Sequence, residues 1–185
     1  MGDGLLADAA AGDRHAVNRL LAHLQPAVIR YCRGRLAITT ARHSADDVAQ
    51  EVLLAVFAAL PRFQGNADGF LAFVYGIARH KVADAHRANG RDKSAPVEEL
   101  PDTTDNELGP DEHVVRNELR SGIHHYLELL TDNQREVLQL RVLVGLSSEE
   151  VAHVMETTSS AVRVAQHRAL KTLRRLIDAD GNTLA

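Results

Sequence analysis

Apolar residues recur every three or four positions along most of the chain, and the stretches that break this rhythm are short and polar. Leu5 to Ala11 begins it, and Gly12-Asp13 supplies a stop and a new N-cap. Ala16, Leu20, Leu24, Val28, Cys32 and Leu36 form one helical stripe, expected to bend or divide at Pro26 because proline has no amide to donate. Ser44 starts the next helix, with Asp46 and Asp47 in its first turn, where the helix dipole favours negative charge. Its inward positions are Val48, Val52, Ala55, Val56 and Ala59. Pro61 to Gly69 reads as a loop. A helix follows from Phe70 to Ala88, with Phe70, Val74, Ile77, Ala78 and Ala85 on one side. Further on, Leu146 to Arg175 reads as two helices with a tight connection. Ser147 or Ser148 caps the first, Thr157-Thr158-Ser159-Ser160 is a polar break, and Val162, Ala165, Ala169, Leu173 and Leu176 line the inner side of the second.

Composition agrees with this pattern. Aromatic residues make up only 4% of the chain, with no Trp and much Ala, Leu and Val, which favours helices packed by aliphatic side chains over a sheet. The net charge of −4 looks wrong for a nucleic-acid binder until it is divided along the chain. Residues 1–91 hold 11 Lys/Arg against 8 Asp/Glu, residues 92–112 hold 1 against 8, and residues 113–185 hold 9 against 9. The acidic segment Asp92 to Glu112 also contains Pro96, Pro101, Gly109 and Pro110 and lacks helical periodicity, so it reads as an extended linker. Its charge suits a solvated spacer or an imitation of nucleic acid inside a basic channel. The expected fold is therefore all-α: two small helical bundles, residues 1–91 and 113–178, joined by the acidic flexible linker 92–112. A tail, 179–185, follows, and the C-terminal bundle contains a helix-turn-helix. The one cysteine, Cys32, excludes an internal disulfide and reads as a small buried thiol. No apolar run is long enough for a signal peptide or a membrane span, so a cytoplasmic location without membrane insertion is expected.

Charge then separates the faces of the helices. Opposite the inner stripe of the last helix stand Arg163, His167, Lys171, Arg174 and Arg175, with Arg168 at the edge and no acid among them. A short capped helix followed by a longer one with a cationic outer face is a helix-turn-helix pattern shaped for the major groove. Val164, exposed among these cations, is suited to touching a thymine methyl. On the Phe70 to Ala88 helix, Arg79, His80, Ala83 and Arg87 lie away from the core beside the small residues Ala72 and Gly76, an arrangement that lets a phosphate backbone approach closely. Two cationic faces on separate lobes imply a bipartite reader, provided that Arg79, Arg87, Arg163 and Lys171 are not locked in internal ion pairs. Asp47, Gln50, Glu51 and Leu54 leave the inner stripe of their own helix and make a candidate protein-docking face.

Five runs carry a resemblance: AAGDRHAVNRLL, SADDVAQEVLLAVFAALPRF, FLAFVYGIARHKVADAHR, LTDNQREVLQLRVLVGLSSEEVAHVM and SAVRVAQHRALKTLRR. In this order and spacing the chain resembles the extracytoplasmic-function (ECF) sigma factors of bacteria, the small type with only the second and fourth sigma domains. The VRVAQHRAL wording is similar to actinobacterial members. The resemblance implies that Asp46, Asp47, Gln50 and Glu51 dock on core RNA polymerase, at the clamp helices of its β′ subunit, with the β subunit as a further contact. It implies that the loop with Phe63, Gln64 and Asn66 captures a flipped base of the −10 element, and that Arg79, His80, Ala83 and Arg87 lie against that region. Ser159, Ser160, Arg163, Val164, His167, Arg168 and Lys171 would read the −35 element. Asp92 to Glu112 would thread toward the RNA exit channel. Promoter DNA and an anti-sigma protein are the other implied partners. The chain departs from the family where many members have Trp at Phe73, Asn at His80 and Ser-Arg at Val164-Ala165, so promoter preference is not carried over.

An enzyme is not expected, and neither is a cofactor or metal. Glu150-x-x-His153 has the spacing of one di-iron ligand pair, but that fold needs a second pair and two further glutamates, and no second E-x-x-H occurs. The chain has no Gly-rich phosphate loop and no G-x-S-x-G. A repressor or activator with residues 1–91 as a sensing domain is the other reading. A sensor should hold a pocket of aromatic or polar residues, whereas this lobe offers a cationic helix and an acidic turn.

Overall fold

The computed structural model describes residues 3–36, 44–90 and 125–181, and every regular element among them is helical. Helix α1 (Asp3–Ala10) ends at Gly12, whose φ of +92 is a conformation that glycine adopts without strain. Asp13 then caps α2 (Arg14–Arg35), its Oδ1 accepting from the amide of Ala16 at 2.7 Å. Of the two outcomes expected at Pro26, division does not occur: α2 is continuous through it. Ala22 and Pro26 are both exposed, so the carbonyl that loses its donor is on the solvent side, where the loss is cheapest.

Helix α3 (Ala45–Ala59) opens with a reciprocal cap: the Asp47 amide donates to Ser44 Oγ and the Ser44 amide to Asp47 Oδ2, both at 3.1 Å. A 3-10 turn (Leu60–Arg62) leads into the loop, and α4 (Ala67–Gly90) begins three residues before the predicted Phe70. Asn66 is the reason, since its Oδ1 accepts from the Gly69 amide at 3.0 Å and so starts the helix early. Leu20, Leu24, Val28 and Cys32 of α2 meet Val48, Val52 and Val56 of α3 and Phe70, Val74 and Ala78 of α4 in one buried cluster. Burial pushes the Cys32 thiol up to about 12, so it is an inert packing group.

The second lobe continues with α5 (Asp132–Leu138), capped reciprocally by Thr131 and Gln134, and a π-helical turn (Gln139–Val144) that stops at Gly145, φ +86. The Arg135 guanidinium ties the preceding chain down by donating to the carbonyls of Leu127 at 2.9 Å and Glu128 at 3.1 Å. Helix α6 (Ser148–Val154) is capped by Ser147, with Glu150 accepting from the Ser147 amide at 2.6 Å. Helix α7 (Ser159–Gly181) runs three residues into the segment expected as a tail. Linker residues 92–112 and residues 182–185 lie outside the described residues.

Between α6 and α7 the chain turns at Glu156, φ 54, the left-handed region that a side chain resists by roughly 1–2 kcal/mol. Glu156→Gly should therefore raise the unfolding free energy of this lobe by about 1 kcal/mol. A melting temperature that stays level or falls would show that Glu156 makes a compensating interaction.

The lobes also meet. Helix α4 lies against α6 and α2 against the π-helical turn, and Val137, Leu140, Leu146, Val151 and Val162 join the same buried cluster as the first lobe. At the centre of this contact Glu136, 6% exposed, accepts from Tyr31 Oη at 3.0 Å and faces Arg35 at 3.6 Å and Arg79 at 3.4 Å. Burial, followed by the negative charge of Glu136, raises the Tyr31 phenol well above its usual value. Two buried atoms in this contact, Arg35 Nε and Gln139 Oε1, have no hydrogen-bond partner among the described residues. Each such atom costs about 1–3 kcal/mol, which offsets part of what the apolar burial here contributes.

Candidate nucleic-acid interface

The outer face of α7 is built from its inner one. Val162, Ala165 and Ala169 are buried against the rest of the lobe, which forces Arg163, Val164, His167, Arg168 and Lys171 to the surface. Thr158 holds the start of the helix by accepting from the Ala161 amide at 3.2 Å, with Ser159 half-buried and Ser160 exposed in the first turn. Val164 is 46% exposed, as the sequence suggested. Arg163 is not unpaired: its guanidinium lies 3.4 Å from Glu149 of α6. Both groups are more than half exposed, at 58% and 71%, so the pair contributes at most about 1 kcal/mol and a phosphate or base edge can replace it.

The loop after α3 borders an open recess of about 590 Å³ lined by Ala55, Ala58, Phe63, Gln64, Gly65 and Phe73. Phe63 is fixed edge-on to Phe70, ring centres 5.1 Å apart at 75°, and tilted against Phe73 at 4.9 Å. A Cβ on Gly65 would stand 2.4 Å from the Phe63 ring, so glycine is required for the loop to close over it. Phe63 and Gln64 thus come together in one apolar recess with room for a base. Asn66 stands beside it, but its carbonyl oxygen is already used as the α4 cap.

The α4 face differs from the expectation. His80 and Arg87 are exposed and Ala83 is half-buried, but Ala72 is only 4% exposed. A second cleft, about 510 Å³, runs between the lobes, lined by Ala72, Gly76 and His80 on one side and Ala152, His153 and Thr157 on the other. The small residues that were to admit a phosphate backbone therefore face α6 across this cleft, with open space beside Gly76. Arg79 reaches Glu136, and Arg87 pairs with Asp84 one turn back. Three of the four cations expected to be unpaired thus have carboxylate partners. Two of those pairs are on the surface and weak, and only Arg79 is held in a part-buried contact.

On α3, Asp46, Asp47, Gln50 and Glu51 are all exposed, along with Leu54 at 65%. Their carboxylates have local duties as well. Asp46 takes two bonds of 2.9 Å from Arg33, which hold its carboxyl below the usual range. Asp47 completes the cap, and Glu51 lies 3.1 Å from Lys81. Phe57, 51% exposed and one turn after Leu54, extends the apolar part of this ridge. Sequence reading passed over it, although the i, i+3 spacing was visible. It also passed over Val142 and Leu143, more than 60% exposed on the π-helical turn, because an extra residue in the turn takes them off the core face that helical periodicity assigns.

Glu150 and His153, weighed above as half of a metal site, are a cap and a cleft wall, and the described residues hold no metal-binding cluster. None of their helices is long and apolar enough to cross a membrane.

Comparison with known proteins gives the family. Residues 20–92 match the family model for Sigma-70 region 2, and residues 120–173 match that for Sigma-70, region 4. The chain is 49% identical over 181 residues to the ECF RNA polymerase sigma factor SigD of Mycobacterium tuberculosis, a match spanning 97% of this chain and 85% of the relative. It is 45% identical over 175 residues to ShbA of Streptomyces griseus, with 92% of each covered. Among solved structures it is similar to CnrH in complex with the cytosolic domain of CnrY, with a TM-score of 0.68, 27% identity, and 95% and 96% of the two chains covered. Its fold is also that of RpoE from Bartonella quintana, solved with the anti-sigma factor NepR, with a TM-score of 0.65, 20% identity, and 88% and 97% covered. Two family models in order and near-complete likeness to such relatives settle the family: the chain belongs to the ECF RNA polymerase sigma factors, which bind core polymerase and direct it to initiate transcription at specific promoters.

Proposed function

We propose that residues 1–91 dock on core polymerase and hold the −10 element, that residues 113–178 read the −35 element, and that the acidic segment 92–112 threads the enzyme between them. The observation that carries this reading is the outer face of α7, where cations and Val164 stand together opposite the buried Val162, Ala165 and Ala169. Arg163, Val164, His167 and Arg168 then face base edges, while Lys171 meets phosphate. The cleft under Phe63 and Gln64 takes an extruded base, whose unstacking costs a few kcal/mol. Arg79, His80, Ala83 and Arg87 run beside that strand. The chain supplies placement and strand capture, and the polymerase supplies all the chemistry. It works in the cytoplasm, where polymerase is, with no cofactor of its own. Likeness to CnrH, solved with the cytosolic domain of CnrY, and to RpoE, solved with the anti-sigma factor NepR, supports an anti-sigma partner.

The test is transcription reconstituted from this chain, core polymerase and a pool of genomic promoters. Transcripts should start from a narrow promoter set only when the chain is added. Initiation without it, or none with it, counts against the assignment. Within that assay, Glu51→Lys should reduce polymerase capture in a pull-down at least tenfold. It also breaks the contact with Lys81, but that pair is 35% and 47% exposed and is worth less than about 1 kcal/mol, so the fold survives. Unchanged capture by a folded variant would remove Glu51 from the docking face.

A further inference from the structure

The inner side of α7 is smooth. Val162, Ala165 and Ala169 are small and buried, and small side chains give a packed helix little to resist sliding or turning about its axis. A helix that reads base edges has to hold its setting to within about 0.5 Å and about 10–20°. Taking α7 as the −35 helix, we propose that Arg141 is the positioning residue that fixes this setting through Gln166, without touching DNA itself.

Arg141 is half-buried on the π-helical turn, while Val142 and Leu143 after it face solvent. Its Nε donates to Gln166 Oε1 of α7 at 3.1 Å, and its Nη1 donates to the Leu146 carbonyl. Leu146 is itself fixed: it is 2% exposed, and its amide donates to the Leu140 carbonyl at 3.0 Å. It directly precedes Ser147, the cap of α6. One planar guanidinium thus joins the π-helical turn, the start of α6 and the first half of α7, and its donors leave in fixed directions. Gln166 is half-buried, three residues after Arg163 and next to His167, so a shift at Gln166 is carried along one hydrogen-bonded helix to both. Two other polar ties of α7 cannot substitute. Arg163–Glu149 lies on the face that duplex DNA would cover, and Asp180 accepts from the Tyr126 hydroxyl at 2.7 Å at the far end of the helix. Once Arg163 turns to a base, Arg141 is what keeps α7 in register.

The test uses full-length variants assembled with core polymerase. Gln166→Leu removes the acceptor at similar size, Arg141→Lys keeps the charge but loses the fork, and Gln166→Glu keeps an acceptor. Competition binding over all single-base −35 variants is the readout. Gln166→Leu and Arg141→Lys should each lose about tenfold in discrimination at the base pairs facing Arg163 and His167, the share of one good base contact. Gln166→Glu should keep the wild-type preference. The double variant Arg141→Lys/Gln166→Leu should discriminate no worse than either single one, because both residues act through one bond. On promoters with a scrambled −35 element all the proteins should bind alike.

Wild-type base preference in both Gln166→Leu and Arg141→Lys, whether or not their melting temperatures fall, would make this bond purely structural and overturn the proposal. So would losses that multiply in the double variant, or an effect of Arg141→Lys that Gln166→Leu lacks, since Arg141 would then meet DNA directly. A wild-type holoenzyme indifferent to the −35 sequence would instead refute α7 as the reader. If the wild type discriminates and Arg163→Ala relaxes it while these variants do not, the positioning role alone is refuted.

Discussion

Phe70→Ala is expected to remove about 3–5 kcal/mol of stability, the usual cost of truncating a buried aromatic side chain. Phe70 is fully buried between the α2–α3 layer and the loop, and it touches Phe63 and Phe73 at ring distances of 5.1 and 6.0 Å. Tyr31 and Tyr75 are engaged edge to face at 5.3 Å elsewhere in the core, so only Phe63 and Phe73 adjoin the space. The loss should reach function by a direct route. Phe63 is seated on Phe70 and Phe73, so without Phe70 the cleft proposed for the extruded base loses its floor. The docking proposed for α3 uses the opposite face of its helix and should persist in whatever fraction remains folded. Urea titration gives the stability, and permanganate footprinting of the promoter gives strand opening in the same variant. A loss below about 1 kcal/mol would mean that the loop repacks over the gap.

Local chemistry was the legible part of this molecule. The Ser44 and Ser147 starts, the buried stripe from Ala16 to Leu36 and the two faces of α7 each follow from residues within one or two turns of each other, so the sequence states them directly. The departures at Pro26, where the helix is not divided, and at the start of α4 are also local. Proline on a solvent-facing turn and an Asx cap at Asn66 are compatible with helix, and both lost to a simpler rule about breakers. Pairing between lobes was not legible at all. Gly34, Arg35, Arg79 and Glu136 belong to three helices, up to about one hundred positions apart, and none breaks the amphipathic pattern of its own element. A small, cationic helix face is chemically suited to a phosphate backbone and equally to a partner helix carrying a carboxylate. Ala72 and Gly76 pointed to the first, yet Ala72 is buried and both line the cleft that faces α6. That ambiguity has a physical origin, because a protein surface selected to hold an anion will hold any correctly placed anion, including its own.

Arg163→Ala and Lys171→Ala should both weaken the holoenzyme on duplex promoter DNA, but in ways that separate reading from holding. Arg163 sits one turn into α7, where the N-terminal end of a recognition helix meets base edges. If its guanidinium spans the O6 and N7 of a guanine, truncation costs about 1–3 kcal/mol at that base pair and relaxes the preference there. Its present partner, Glu149, is 71% exposed and so adds little to the cost of redirecting it. Lys171 lies two turns further along the same face and is exposed. Its loss should lower affinity evenly across sequences and reduce the slope of log affinity against log salt by about 0.9, the share of one phosphate contact. Competition binding over all single-base −35 variants, repeated at several salt concentrations, distinguishes the two. An Arg163→Ala holoenzyme with unaltered base preference, or a Lys171→Ala holoenzyme with an unaltered salt slope, would show that α7 lies on the duplex in a different register from the one its exposed face implies.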